Sequence, residues 1–124
     1  MSAETPSTIL IVDDDRIVRR MLRDALEEHG YRVLLARNGA HAMKVFEEHT
    51  SNISLVLTDI RMPLMSGPAF VAELLLRGMP RALPILFMSG SESEVPPGFV
   101  CISKPFRLTQ VFERIEESLA SRKT

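Results

Sequence analysis

Polar side chains that can bind cations or phosphate follow several short apolar segments of this sequence. Asp13 and Asp14 follow the first segment, Asp59 follows a later one, and Ser89 and Lys104 follow the last two. Three carboxylates held close together repel one another unless a cation that prefers oxygen ligands lies between them. Mg²⁺ suits such a site, with Mn²⁺ as an alternative. The residue types therefore predict a divalent metal site where an ionised Asp59 can attack phosphorus and form an aspartyl phosphate.

Lys104 and Ser89 would complete the site on the phosphoryl side. The Lys104 ammonium supplies a compact positive charge to one phosphoryl oxygen, and the Ser89 hydroxyl can donate a hydrogen bond to another. Taken singly, the aspartates are more often caps of helices or turns, and the serine and lysine are ordinary polar residues. Their joint placement after four separate apolar segments favours the phosphoacceptor interpretation.

The apolar segments alternate with stretches of helical period, a pattern typical of an α/β fold with a parallel sheet. Five segments are predicted to be strands: Thr8–Val12, Tyr31–Ala36, Ile53–Thr58, Leu83–Met88 and Phe99–Ile102. Ligands bind beyond the carboxyl ends of the strands in open parallel sheets. The polar residues at these ends should therefore meet at one edge.

Helices are predicted after the first, second, third and fifth strands. The first is capped by Asp14 or Asp15 and closes at Gly30, and the second follows the cap Asn38 and ends near His49. The third is expected over Ala69–Arg77, after a loop at Ile60–Pro68 in which two prolines and Gly67 force turns. The last carries apolar residues at helical spacing: Leu108, Val111, Phe112, Ile115 and Leu119.

The connection between the fourth and fifth strands is unusually short. Only Gly90–Gly98 lie between Ser89 and the fifth strand, and they include a double proline. A parallel crossover usually needs a dozen residues or more, so a full helix does not fit. An irregular loop with at most one helical turn is predicted.

Composition sets the broad class. The chain has 124 residues, 45% of them hydrophobic, which suits one compact domain, expected over residues 8–120 between a flexible N-terminus (1–7) and a frayed C-terminus (121–124). A formal net charge of −1 argues against direct nucleic-acid binding. The apolar runs are shorter than the roughly 20 residues of a membrane helix. Residues 1–7 do not look like a secretory signal, so a cytoplasmic protein is expected.

Other side chains have weaker signals. Arg19, Arg20 and Arg23 form a small basic cluster on the first helix, interpreted as a solvated face. His29, His41 and His49 lack the spacing of a zinc site and are interpreted as surface residues. The single cysteine, Cys101, excludes an intrachain disulfide and should pack as a small apolar side chain.

Four segments together resemble the signature segments of response-regulator receiver domains: Ile9–Asp15, Leu57–Pro63, Met88–Gly90 and Ser103–Phe106. The resemblance covers nearly the whole chain. It implies a flavodoxin-like, doubly wound sheet of five parallel strands in the order 2-1-3-4-5, here with the fourth helix absent or reduced to a turn. Its implied partners are a histidine kinase or phosphotransfer protein and an unidentified output partner. Because the first helix commonly meets the kinase in receivers, the resemblance also gives Arg19, Arg20 and Arg23 a docking role as an alternative to a solvated face.

The resemblance also implies residue roles. Asp59 accepts the phosphoryl group, and Asp13 and Asp14 form the acidic pair that binds Mg²⁺ with the backbone carbonyl of Arg61. Ser89 is the switch hydroxyl, and Lys104 contacts the phosphoryl group. The peptide bond between Lys104 and Pro105 is expected to be cis.

Three positions bear on regulation within the resemblance. Cys101 stands where most family members have the switch aromatic. Arg61 and Ser91 stand where side chains influence the rate of phosphoryl loss. The change at Cys101 and the shortened crossover leave a second hypothesis open, a pseudo-receiver that acts as a constitutive protein-binding module.

A phosphatase or phosphotransferase acting on outside substrates is a third hypothesis. It would need a cap insertion and a substrate pocket, and the compact chain has no insertion large enough. Self-phosphorylation and autodephosphorylation, without turnover of a separate substrate, are therefore expected.

Overall fold

The structure is a computed structural model that describes residues 6–79 and 82–123. Its elements alternate along the chain as β1 (Thr8–Val12), α1 (Arg16–Glu28), β2 (Arg32–Ala36), α2 (Gly39–His49), β3 (Ile53–Asp59), α3 (Gly67–Leu76), β4 (Ile85–Ser89), β5 (Val100–Ser103) and α4 (Leu108–Lys123). The α/β class predicted from the alternation is confirmed.

The five strands form one parallel sheet in the order β2-β1-β3-β4-β5, as the resemblance implied. Val12, the last residue of β1, pairs with Ala36 on one side and with Thr58 on the other. Ser89, at the end of β4, pairs with Ser103, at the end of β5. The carboxyl ends of the strands are therefore level, and the residues that follow them share one edge.

Helices cover the two faces of the sheet and enclose two cores. Leu10 and Val12 of β1 face α2 and α3, where Phe46 and Phe70 are buried. The alternate residues, such as Ile9, face α1 and α4. All five residues of β1 are buried, which explains why its sequence is apolar from Ile9 to Val12 without alternation.

Helix α3 begins two residues earlier than predicted. Ser66 caps it by accepting a hydrogen bond from Ala69 N at 3.2 Å, and Pro68 lies in the first turn, where its missing N–H costs nothing. Gly67 is needed for close approach, because a Cβ there would collide with the backbone oxygen of Asp59. The turn with positive φ in this loop is made instead by Leu64, at 69°.

The crossover after β4 is short, as predicted. A single 3₁₀ turn, Glu92–Glu94, stands where a fourth crossover helix was excluded. Both flanking strands begin later than expected, β4 at Ile85 and β5 at Val100.

The two ends of the predicted domain lie partly within the described residues. Residues 121–123 of the expected frayed C-terminus (121–124) form the last turn of α4, and residue 124 lies outside the described residues. Of the expected flexible N-terminus (1–7), residues 1–5 also lie outside the described residues.

Candidate functional site

Three aspartates meet at the carboxyl edge of the sheet. Asp13 follows β1 and is fully buried, Asp14 is exposed, and Asp59 ends β3 and is partly buried. One carboxylate oxygen from each lies within 4.8 Å of the others. The cluster forms because β1 and β3 are paired neighbours whose ends are level. The structure thus brings together the carboxylates that the sequence predicted would share a site.

The three successive aspartates after β1 have different hydrogen-bond partners and therefore different structural roles. Asp13 N donates to the Ala36 carbonyl at 3.1 Å, and Asp13 Oδ1 accepts from Asp15 N at 2.8 Å. Asp15 caps α1 by accepting from Ile17 N at 2.8 Å. Asp15 is therefore the helix cap, while the Asp13 and Asp14 carboxylates remain with the cluster.

Lys104 bridges the aspartates of the two strands. Its Nζ lies 3.4 Å from Asp13 Oδ2 and 3.2 Å from Asp59 Oδ2. Its backbone N–H donates to the Ser89 carbonyl at 2.8 Å, and its peptide bond to Pro105 is cis, as the resemblance implied. The loop after β5 thus places one positive charge against two carboxylates.

The charges of the site are incompletely balanced. Burial raises the pKa of Asp13, while the Asp15 N–H and Lys104 act in the opposite direction without cancelling this effect. Burial lowers the pKa of Lys104, but Asp13 and Asp59 more than offset this, so the pKa of Lys104 lies above its usual value. The lysine therefore stays charged, whereas the charged form of the fully buried Asp13 carboxylate has a desolvation cost that its neighbours do not fully offset.

This arrangement fits a divalent cation. The three side chains offer the hard oxygen ligands that Mg²⁺ prefers, and a second positive charge would offset the remaining cost of burying Asp13. The backbone carbonyl of Arg61 as a further ligand stays a prediction.

Ser89 is engaged with its own loop. Its hydroxyl, buried at the end of β4, donates to the Ser91 carbonyl at 2.8 Å and accepts from Ser91 N at 3.0 Å. The structure therefore places Ser89 at the predicted edge, but its hydrogen-bonding capacity is directed to Ser91.

An ion pair joins the loops that follow β3 and β4. Arg61 Nε lies 2.6 Å from Glu94 Oε2, with Arg61 largely exposed and Glu94 half-buried. Glu94 belongs to the 3₁₀ turn of the shortened crossover. The two segments beside Asp59 and Ser89 are thus in contact.

Arg19 is a site residue that the sequence reasoning missed. Its Nη1 donates to the Asp13 carbonyl at 2.8 Å, so a side chain of α1 is hydrogen-bonded to the loop that carries the aspartates. The cluster with Arg20 and Arg23 was interpreted as a solvated face, and for Arg19 that interpretation is wrong. The sequence did contain a signal for this contact, because Arg19 lies one helical turn after the cap Asp15 and can therefore reach back to Asp13.

Cys101 lies in the middle of β5, where it pairs with Phe87 of β4. It is partly buried, less than the predicted packing implied. Phe99, two residues earlier, packs edge-on against Phe87 with ring centroids 5.4 Å apart. An aromatic side chain therefore lies near this face of the sheet, but not at position 101.

Comparison with known proteins adds a family match. The family model described as "Response regulator receiver domain" matches residues 9–116. The response regulator receiver protein CpdR of Brucella abortus is 38% identical over 120 residues, covering 90% of this chain and 95% of that protein. The receiver domain of the hybrid histidine kinase CckA superposes with a TM-score of 0.80 at 32% identity, covering 91% of this chain and 99% of that domain.

Other relatives are much longer than this chain. The two-component response regulator-like protein APRR7 of Arabidopsis thaliana is 33% identical over 96 residues, which are 77% of this chain and 13% of that protein. Within the described part of the chain, no helix has the length and apolar character needed to cross a membrane.

Proposed function

The chain belongs to the response-regulator receiver family, and we propose that it is an active phosphoacceptor receiver, with Asp59 taking a phosphoryl group from a histidine kinase or phosphotransfer protein. The observation that carries this proposal is the position of Lys104 Nζ, within 3.4 Å of both Asp13 and Asp59, beside three clustered carboxylates. The cluster concentrates negative charge at a cost that a bound cation, together with Lys104, would offset.

In the proposed reaction, Asp59 is the nucleophile. One of its carboxylate oxygens attacks the phosphorus of a phosphohistidine, the bond from phosphorus to the imidazole nitrogen breaks, and the imidazole takes up a proton. Asp13, Asp14 and Asp59 would hold Mg²⁺, which supplies positive charge for the transferred oxygens. Ile60 N, which donates to Asp59 Oδ1 at 2.8 Å, helps to orient the attacking group.

Lys104 changes partners as the reaction proceeds. Before transfer it neutralises part of the charge on Asp13 and Asp59; afterwards its ammonium can bind a phosphoryl oxygen, because the phosphoryl group brings more negative charge to the same place. The Asp13 carboxylate would then be free of the lysine and could bind the metal. The lysine thus positions and stabilises without exchanging a proton.

Ser89 provides the proposed link to signalling. To donate to a phosphoryl oxygen, its hydroxyl must give up the Ser91 carbonyl, and this exchange would rearrange the loop that starts the shortened crossover. Such a rearrangement would also affect the ion pair between Glu94 and Arg61, because Glu94 belongs to the same crossover segment. We expect the altered loop to be the surface that a partner reads.

The test is intact-mass measurement after incubation with Mg²⁺ and a small acyl phosphate. One added phosphoryl group is expected in the wild type and none in Asp59→Asn, while Asp24→Asn, an exposed aspartate of α1, serves as the matched control and should be modified normally. Absence of the added group in the wild type, under conditions where another receiver reacts, would refute the proposal.

A pseudo-receiver is the second candidate, and specific observations favour it. The crossover is reduced to one turn, position 101 lacks the switch aromatic, and the Ser89 hydroxyl is already satisfied by Ser91. Backbone amide NMR of the phosphorylated protein separates the candidates. Shift changes through 89–103 support a coupled switch, whereas changes confined to Asp59 and its contacts support a constitutive module.

Further parts of the proposal follow from the sequence and from family membership together. We expect no turnover of a separate substrate, since the reaction ends with loss of the phosphoryl group from Asp59. An output partner, the absence of direct nucleic-acid binding and a cytoplasmic location stay predictions.

A further inference from the structure

A small pocket rich in arginine lies beside the candidate phosphorylation site, between α1 and the connection from β2 to α2. Its volume is about 260 Å³. The lining residues are Arg16, Arg19, Arg20, Arg23, Leu35, Ala36, Arg37 and His41. The proposed phosphoryl transfer uses none of these side chains as a ligand or nucleophile.

The pocket carries more positive charge than its surroundings balance. Four of the arginines stand at positions i, i+3, i+4 and i+7 of α1 and therefore share one helix face, with Arg37 opposite them. Among the described residues, the carboxylate paired with any of these five guanidinium groups is that of Asp24, 3.0 Å from Arg23. Most of these guanidinium groups therefore have no carboxylate partner within the described part of the chain, and an anionic ligand could bind them.

This clustering is unfavourable for the helix itself. Arg16 with Arg20, and Arg19 with Arg23, are like-charge pairs at i,i+4 spacing, which destabilise a helix. They also begin at the positive end of the α1 dipole, where the carboxylate of the cap Asp15 offsets part of the positive potential but the first turn contains no acidic residue. An anion in the pocket would relieve both sources of repulsion.

We propose that this pocket binds the phosphoanhydride chain of an oligophosphate, from either inorganic polyphosphate or a nucleotide. Guanidinium groups bind phosphate oxygens through two parallel hydrogen bonds, and several of them can surround a compact anion. The volume lies just below the range of roughly 300–1,000 Å³ typical of small-molecule clefts, so a compact, highly charged group fits better than a folded or extended peptide.

His41 reports on the charge of the pocket. Its Nδ1 accepts from Arg37 N at 3.2 Å and lies 3.3 Å from Arg37 Nη1. Burial lowers its pKa, and Arg37, Arg19 and Lys44 lower it further, against a smaller opposite effect of Glu48. A bound polyanion would raise this pKa, which gives a local signal of binding at the wall of the pocket.

Arg19 connects the pocket to the acidic cluster. Its guanidinium lines the pocket and also donates to the Asp13 carbonyl at 2.8 Å. An anion that attracts Arg19 would compete with this hydrogen bond and so shift the loop that carries Asp13 and Asp14. Binding at the pocket would then modulate the metal site, although the binding itself does not depend on phosphorylation of Asp59.

The experiment is a calorimetric titration of the protein with tripolyphosphate, ATP and oligoglutamate, with EDTA present and at near-physiological salt. Saturable binding of tripolyphosphate or ATP is expected, at least tenfold weaker in the double variant Arg20→Gln/Arg37→Gln. The matched control is Arg32→Gln/Arg107→Gln, which removes two exposed arginines outside the pocket and should change affinity less than twofold. Far-ultraviolet circular dichroism verifies that both variants fold.

The readouts separate the possible ligands and sites. Tighter binding of ATP assigns the pocket to a nucleotide, and tighter binding of tripolyphosphate assigns it to inorganic polyphosphate. In either case the His41 pKa, followed by NMR, should rise when the ligand is added. Equal loss of affinity in both double variants, no saturable binding, an unmoved His41 pKa or equally tight binding of oligoglutamate would each overturn the proposal.

Discussion

Replacing Lys104 by methionine tests how the charges of the acidic cluster are balanced. The substitution keeps the length of the side chain and removes the one ammonium that lies 3.4 Å from Asp13 and 3.2 Å from Asp59. Asp13 is fully buried, so its carboxylate would then lose its charged partner inside the protein. The variant should be less stable without metal, and Mg²⁺ should restore more stability to it than to the wild type.

The size of the effect follows from burial. Breaking a fully buried ion pair costs about 3–5 kcal/mol, and an exposed pair contributes about 0–1 kcal/mol. The Lys104 side chain is 29% exposed and that of Asp59 13%, so the loss should lie between these limits. We expect the free energy of unfolding in EDTA to fall by about 1–3 kcal/mol. For a domain of this size, each kcal/mol lowers the Tm by roughly 3–5 °C.

The response to Mg²⁺ gives the sharper part of the prediction. Without the lysine the site is more negative, so the variant should bind Mg²⁺ about tenfold more tightly, which adds about 1.4 kcal/mol to the stabilisation at saturating metal. Since the pKa of Lys104 is raised, its stabilising charge is fully present at neutral pH and is lost only as pH rises through that raised value. Unfolding measured at pH 7.5 therefore reports the full stabilisation by the charged lysine.

Thermal and urea unfolding of both proteins, each with EDTA and with Mg²⁺, complete the measurement. Lys44→Met, which removes an exposed lysine from α2, is the matched control and should shift neither the stability nor its metal dependence by more than about 0.5 kcal/mol. If Mg²⁺ stabilises Lys104→Met and the wild type equally, the lysine and the metal do not share the carboxylates, and the charge argument is refuted.

Four further predictions concern the surrounding loops and pH. Gly67→Ala should cost about 1–3 kcal/mol in urea unfolding and slow phosphorylation by acyl phosphate, because its Cβ collides with backbone, whereas Gly90→Ala, with open space around it, should do neither. Mg²⁺ affinity measured by titration should fall as pH drops through the raised pKa of Asp13, since proton and metal compete for one carboxylate, and Asp13→Asn should flatten this profile. That raised pKa also means that Asp13 destabilises the fold at neutral pH, a cost removed as the pH falls through it; an Asp13→Asn stability curve with unchanged slope would contradict this. Arg61→Gln and Glu94→Gln should change the half-life of the phosphorylated protein in the same direction, and the double variant should match either single one, because all three lose the same ion pair; additive effects would show separate roles.

The sequence alone predicted the fold class and the edge of the sheet at which the candidate site lies. The alternation of apolar segments with helical periods predicted the α/β class, because these local patterns set where strands and helices form. The nine residues between Ser89 and Phe99, with their double proline, predicted the missing crossover helix from length and backbone restriction. The strand order came from family resemblance, since the alternation by itself permits several orders.

The tertiary structure decided which side chains meet. The sequence left Asp14 and Asp15 as alternative caps of α1, and the hydrogen bond from Ile17 N assigns the cap to Asp15. Asp13 joins Asp59 because β1 and β3 are neighbours in the sheet, and Arg61 meets Glu94 because the loops after β3 and β4 pack together. The sequence therefore specified local elements and their chemistry, whereas pairings between distant or differently packed segments required the packed sheet, because burial and strand order set which charges are neighbours.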